Sequence, residues 1–349
     1  MARLAVVTSA PPLSEGGHLM LARSLVRALQ EAGHEAGMVT TPSNRFGRQG
    51  PAYLATWLTD VGRTGSGDRI DQIITLRYPS YAVRHPHHVC WLVHTMREYY
   101  DLWDQWSARL SPQGRMKETV RRTLIHAADT YCFKHHVSRL FTISGAVSER
   151  LRRWNGVSGE VLHPPPPQRD YRCDGYGDFL FLPSRLTSLK RVDLVLHALA
   201  QPDAGGVRLV IAGDGEDRSR LERLARELHL EGRVSFGGRL TEQSLVKHLA
   251  RCRAVVFVPR DEDYGFVTVE AFASGKAVVT CADSGAPLEL VRSGENGLVV
   301  APDPRALARV FAELATDEGL AERLGARARQ DAGTLNWPSV VSRLVPVGL

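Results

Sequence analysis

Apolar positions along this chain alternate between unbroken short runs and helical spacing, and the alternation occurs twice. Leu4 to Thr8 predicts a first strand, Ser9 to Gly17 a loop, and His18 to Glu31 a helix through Met20, Leu21, Leu25 and Leu29. Gly33 stops that helix before a strand from Glu35 to Thr40. Residues 41–70 are rich in Gly, Ser, Thr and Arg and show no period, so a mobile insertion is expected there. Gln72 to Leu76, Val89 to Val93 and Arg139 to Ile143 predict further strands. A basic helical segment runs from Met116 to His136, and a helix from Ala146 to Arg153.

The run His163-Pro164-Pro165-Pro166-Pro167 removes backbone donors and stiffens the chain, which suits a boundary between two lobes. The pattern then restarts. Strands are expected at Phe179 to Pro183, Leu209 to Ala212, Val234 to Gly237, Ala254 to Val258 and Ala277 to Thr280. Helices are expected at Arg191 to Ala200, Val269 to Ala273, Arg305 to Thr316, Gly319 to Gln330 and Trp337 to Leu344. Strands alternating with helices in both halves predict an α/β protein of two Rossmann-like domains. The expected divisions are 1–165, 166–332 and a terminal segment, 333–349.

Composition narrows the class. The chain has 349 residues and a formal net charge of +6. The excess is uneven, with 20 Lys+Arg against 13 Asp+Glu in residues 1–165 and 24 against 25 in the remainder. The basic half suits an anionic membrane surface, a phosphorylated acceptor or nucleic acid. Arg97, Tyr99, Tyr100, Trp103 and Trp106 mix cations with aromatics ahead of the basic helix, which fits an interfacial surface or acceptor cleft as well as a packed helix with a solvated face. Five scattered cysteines have no metal-ligand spacing, and no apolar run is long enough to span a bilayer. The start is too brief for a signal peptide, so a cytoplasmic protein is expected, with peripheral attachment to the inner face of the membrane as an option. Gly-x-Gly-x-x-Gly is absent after the first strand, which disfavours nicotinamide and flavin chemistry. His85, His87 and His88 match no common metal site.

The chemistry concentrates between Ala254 and Val278. Pro259 ends a buried strand, an acidic loop with Gly265 follows, and the next helix closes at Ser274-Gly275. In a parallel sheet the mouth of such a loop holds ligands, beside helix N–H groups that favour anions. The loop nevertheless carries Asp261, Glu262 and Asp263. A nucleotide sugar reconciles the two, offering a diphosphate to the amides and hydroxyls to the carboxylates.

Glu262-Asp263-Tyr264-Gly265-Phe266-Val267-Thr268-Val269-Glu270-Ala271 resembles the Glu-x7-Glu motif of retaining GT-B fold glycosyltransferases of family 4 (GT4). Ser184-Arg185-Leu186 with Lys190-Arg191 is similar to that family's Gly-Arg-Leu and Lys-Gly segment, with Ser184 and Arg191 standing where glycines are usual. Gly213-Asp214-Gly215, Gly238-Arg239-Leu240 and Gly294-Glu295-Asn296-Gly297 continue the likeness, which is weak before residue 135 and specific after 179. The resemblance implies the GT-B fold, two Rossmann-like domains facing each other across a cleft, with Trp337 to Leu344 in a terminal helix that crosses back to the first. It also implies a sugar transfer from a UDP- or GDP-sugar to an acceptor hydroxyl, in polysaccharide or glycolipid assembly. By the same resemblance, Glu262 contacts the sugar and Glu270 the ribose, Arg185 and Lys190 grip the diphosphate, and His94 approaches the sugar from the first domain. Gly16 and Gly17 with Gly213, Arg239, Leu240, Gly265, Phe266 and Val267 complete the donor site.

Asp261-Glu262-Asp263 could pass for a metal-binding Asp-x-Asp, but two cations and a helix N-terminus already neutralise a diphosphate, so no cofactor and no metal are expected. Two rival readings stay open: a nucleotide-sugar hydrolase or epimerase of the same fold, and a non-catalytic nucleotide- or nucleic-acid-binding protein. The near-neutral second half speaks against a nucleic-acid track, so the expected partners are a donor and a glycan, lipid-linked or small acceptor.

Overall fold

The computed structural model describes residues 1–13, 16–43 and 47–346. The chain forms two compact units, one from residues 1–164 with those from Trp337 onward, the other from Pro165–Asn336. In chain order the first unit contains β1 (Arg3–Ala10), α1 (Gly17–Glu31), β2 (Glu35–Pro42), α2 (Gln49–Leu58), β3 (Gln72–Arg77) and β4 (His88–His94). It continues with α3 (Trp103–Ser107), α4 (Pro112–His135), β5 (Arg139–Thr142), α5 (Gly145–Asn155) and β6 (Glu160–Val161). The strands pair in parallel in the order β2-β1-β3-β4-β5-β6.

The second unit runs β7 (Phe179–Pro183), α6 (Val192–Leu199), β8 (Arg208–Ala212), α7 (Arg218–Glu227), β9 (Val234–Phe236) and α8 (Glu242–Arg251). Then come β10 (Ala254–Val256), α9 (Phe266–Ala273), β11 (Val278–Cys281), β12 (Gly297–Val300), α10 (Pro304–Thr316) and α11 (Glu318–Thr334). Its sheet order is β12-β11-β10-β7-β8-β9, again all parallel. The last helix, α12 (Trp337–Leu344), belongs to the first unit, where the Leu344 carbonyl accepts from Gln72 at 3.0 Å.

These orders position the site. In unit 2 the chain starts in the middle, at β7, builds outward to β9, and then returns to the other side of β7 with β10. A crevice must open where the two directions part, because the loops after β7 and β10 leave on opposite faces. Unit 1 has its corresponding point between β1 and β3. The unit 2 sheet is buried on both faces, with Leu180, Leu182, Ile211, Val256 and Val279 in one core layer and Phe181, Val255, Phe257 and Val278 in the other. Continuous apolar runs are what two covered faces demand.

Three expectations need correction. Residues 41–70 are not without structure: α2 forms within them, and Arg63 pairs with Arg69 in an isolated bridge. Ala52 and Thr56 bury one stripe of α2, and Pro51 sits in the first turn, where its missing N–H has no helical acceptor to lose. Leu54 and Leu58 lie exposed, which blurs the period read from sequence. Asn44, Arg45 and Phe46 of the expected mobile insertion lie outside the described residues. Second, the helix expected from Arg191 begins at Val192, because Arg191 takes the left-handed conformation with φ 49°. Third, the strand expected to Val258 pairs only through Val256, although the Phe257 amide still reaches the Val279 carbonyl at 2.9 Å.

Candidate active site

The site in unit 2 is assembled from loops that leave the carboxyl ends of β7, β8, β9 and β10. The first three are locked to one another through backbone. Ser184 donates to the Ala212 carbonyl at 2.8 Å, Leu186 to that of Asp214 at 3.0 Å, and Gly213 to that of Gly238 at 2.7 Å. This close approach explains the glycines: a Cβ at Gly213 would lie 1.9 Å from the Ser184 carbonyl oxygen, and one at Gly215 would lie 2.2 Å from that of Leu186. Gly213 thus holds the Arg185 loop in place. Arg185 itself is exposed, Arg239 is exposed, and Leu240 packs on the core.

The loop after β10 is pinned from the other side. Asp261 and Glu262 donate from their amides to Asp283 and Ser284 at 3.1 and 2.9 Å, and the Glu262 carbonyl accepts from Ala286 at 3.0 Å. Gly285, at φ 78°, allows this, since a Cβ there would stand 2.7 Å from the Glu262 nitrogen. Arg191 completes the clamp. Its guanidinium donates to the Val258 and Pro259 carbonyls at 2.8 and 2.7 Å and to both Asp283 carboxylate oxygens at 2.7 Å. The left-handed backbone at Arg191 is one that glycine adopts freely, and four hydrogen bonds offset its cost here.

Lys190 and Glu262, from the loops after β7 and β10, meet at the crevice and form an ion pair, both side chains being mostly buried. Lys190 also lies 5.2 Å from the centroid of the Phe257 ring. Gly265 follows at φ 81° and opens α9; a Cβ at Gly265 would come within 2.4 Å of Phe257. The first-turn amides of Phe266 and Val267 have no acceptor inside the helix. Cation, carboxylate and helix N-terminus therefore converge at this crevice.

Glu270 is one turn further along α9 and buried. Its Oε1 accepts from Arg169 and, at 3.0 Å, from the Tyr171 hydroxyl. Arg169 also reaches Glu242 Oε1 at 3.0 Å. Burial raises the Glu270 carboxyl above its ordinary range, and Arg169 and Tyr171 oppose that rise. Sequence reasoning missed Arg169, Tyr171, Arg191 and Asp283. Only Arg191 left a signal, a bulky residue where the motif it resembles has glycine.

Gly16, Gly17 and His94 belong to unit 1. Gly17 opens α1, and the Gly16 carbonyl accepts from Leu19 and Met20 at 3.0 and 3.1 Å. His94 ends β4 beside Arg77 in the parallel register, and its Nδ1 lies 2.7 Å from the Thr95 carbonyl. Arg77 donates to His18 Nε2 at 3.0 Å, so these two also stand at the point between β1 and β3, unannounced by the sequence. Among the described residues no group of three or more His, Cys, Asp or Glu side chains is placed to hold a metal ion.

Residues 173–331 match the family model described as glycosyl transferases group 1. Unit 2 is a group 1 glycosyltransferase domain. The chain is 33% identical over 218 residues to an exopolysaccharide phosphotransferase of Streptomyces coelicolor, covering 59% of this chain and 21% of the relative. It is 36% identical over 147 residues to the lipopolysaccharide core biosynthesis glycosyltransferase LpsE of Rhizobium meliloti, covering 42% of each. The chain thus spans less than half the length of these relatives. Beyond the group 1 domain, the fold as a whole is similar to that of Anabaena HepE, solved with UDP and glucose, with a TM-score of 0.70, 16% identity, and coverage of 97% and 98% of the two chains. Two parallel six-stranded sheets with flanking helices give the group 1 domain and its companion unit the GT-B fold.

Proposed function

We propose that this protein transfers a sugar from a nucleoside-diphosphate sugar to an acceptor hydroxyl, in polysaccharide or glycolipid assembly, without a metal ion. The observation that carries the reading is the meeting of Lys190 and Glu262 beside the α9 N-terminus at the β7/β10 crevice. The ion pair keeps each partner in reach of the crevice. An arriving diphosphate competes for the lysine, and Glu262 is then released to accept hydrogen bonds from sugar hydroxyls. Lys190, Arg185 and the amides of Phe266 and Val267 stabilise the charge that grows on the leaving diphosphate. Glu270 offers its Oε2 to the ribose while Oε1 stays with Arg169 and Tyr171. Arg239 and Leu240 border the base, and Gly213 shapes the wall.

With Glu262 assigned to the sugar hydroxyls, no side chain among the described residues of the unit 2 crevice stands as an evident nucleophile, so retention of configuration through attack on the same face, assisted by the leaving phosphate, fits the inventory. HepE was solved with UDP and glucose, which makes UDP the first nucleotide to try. The relative from Rhizobium meliloti supports an envelope glycan as the product class. The test is thermal unfolding with UDP, GDP, dTDP and ADP, each with EDTA present. A ligand at ~100 times its dissociation constant adds about 2.7 kcal/mol to folded-state stability. One base should raise the melting temperature in EDTA; a shift seen only with divalent metal would overturn the metal-free mechanism, and none with any nucleotide would overturn the donor site.

A further inference from the structure

Unit 1 carries a surface to which the proposed transfer assigns no role. Between α2 and α4 runs a groove of about 640 Å³ lined by Tyr53, Leu54, Trp57, Val120, Leu124 and Ile125. Around it, the exposed large apolar side chains concentrate. Of ten such residues among those described, six lie on these two helices: Leu54, Leu58, Met116, Val120, Leu124 and Tyr131. Met116, Val120 and Leu124 follow each other at four-residue spacing, so they form one outward stripe of α4, while Ile125 and Cys132 face the core. A helix that buries one face and leaves an apolar stripe on the other exposes surface that a soluble fold covers at no gain to itself.

The exposed charges on these two helices are of one sign. Residues 48–58 and 112–135 contain Arg48, Arg115, Lys117, Arg121, Arg122 and Lys134, and their only carboxylates are Glu118 and Asp129. Both carboxylates are turned inward. Glu118 accepts from the Tyr99 hydroxyl at 2.7 Å and pairs with Arg121. Asp129 is wholly buried and accepts from the hydroxyls of Tyr81 and Tyr100, each at 2.6 Å, and of Tyr53. The exposed face is therefore apolar and cationic, with no acid on either helix facing water. Arg115 and Lys117 stand exposed at one end of the stripe, and Arg84 stacks 4.2 Å over the Trp57 ring at the groove. Helices that lie in a membrane interface combine an apolar face, basic flanks and a Trp or Tyr at the water boundary. A nucleic-acid track would expose flat aromatic faces rather than Leu, Met and Val.

We propose that unit 1 docks on an anionic lipid bilayer through the α2–α4 face, with a hydrocarbon chain in the groove and lipid phosphates at Arg115 and Lys117. The test is sedimentation of the full chain with vesicles of phosphatidylcholine alone and of phosphatidylcholine with phosphatidylglycerol. Binding is expected to the anionic vesicles, falling with salt. Lys117→Ala should weaken it roughly fivefold. Leu54→Ser with Leu124→Ser should weaken it by about tenfold or more, since each exposed leucine loses its apolar burial. Both variants should keep the wild-type melting temperature and UDP affinity, and UDP binding in the same samples tests the transfer reading separately. Absence of binding to anionic vesicles, equal binding to neutral ones, or leucine variants that sediment like wild type would each overturn the proposal. So would self-association of the wild type that the leucine variants abolish without any vesicle binding, which would assign the face to a second copy.

Discussion

Glu262 and Glu270 are eight positions apart and sit in opposite circumstances. Glu262 is in a loop, partly accessible, and paired with a lysine whose long stem can swing. Glu270 is in a helix, buried, and held by a planar guanidinium and a phenol that are themselves packed. A lysine is a point charge on a flexible chain, whereas an arginine fork fixes direction. The first pair is built to exchange partners and the second to stay. One motif thus contains a switching carboxylate and a standing one, and their difference lies in what the rest of the fold brings to each.

Removing the standing partner should have the largest effect. Arg169→Ala leaves Glu270 buried without its countercharge and should cost about 3–5 kcal/mol of stability. The sign of its pH dependence follows from burial. The folded carboxyl of Glu270 lies above its unfolded value, and without Arg169 it rises further, so the native state binds its proton more tightly. Stability from this group is then present at low pH and is lost as pH rises past the unfolded value of about 4.3 toward the raised one. The melting-temperature gap between wild type and variant should widen from acid to neutral pH, and Arg169→Lys should recover part of it. A gap independent of pH would show that Arg169 acts by packing alone.

Glu262→Ala should come next and act on a different quantity. Turnover should fall about 100- to 1000-fold, as for loss of one group that meets the transition state. UDP affinity should hold or improve, because Lys190 loses its competitor; calorimetry with UDP reads this directly, and collapse of UDP binding would place Glu262 on the nucleotide instead. The smallest effect is expected at the clamp. Arg191→Gly relieves the left-handed backbone and loses four hydrogen bonds, for a net loss of about 1–3 kcal/mol by denaturant titration. A stabilised variant would mean that the backbone cost exceeds the clamp.

Much of this was legible along the chain. The buried run from Ala254, the stop at Pro259, Gly265 and the apolar segment after it predict strand, loop and helix by local rules of burial and backbone freedom, and the structure follows them within a few residues. Contiguous segments carry such rules because their causes lie within a few residues. Helix α2 was hidden for the opposite reason: its outward leucines remove the contrast between faces on which a period depends.

What sequence alone determined is the inventory: two series of parallel strands and helices, the glycines that let loops pass close, and the carboxylates and cations at the carboxyl ends of the strands. What only the tertiary structure decided is who meets whom. Lys190 and Glu262 are 72 positions apart, Arg169 and Glu270 are 101 apart, and Gly213 meets Ser184 across neighbouring strands. No local pattern encodes such pairs, because strand order sets them, and strand order arises from closing a whole sheet around its core.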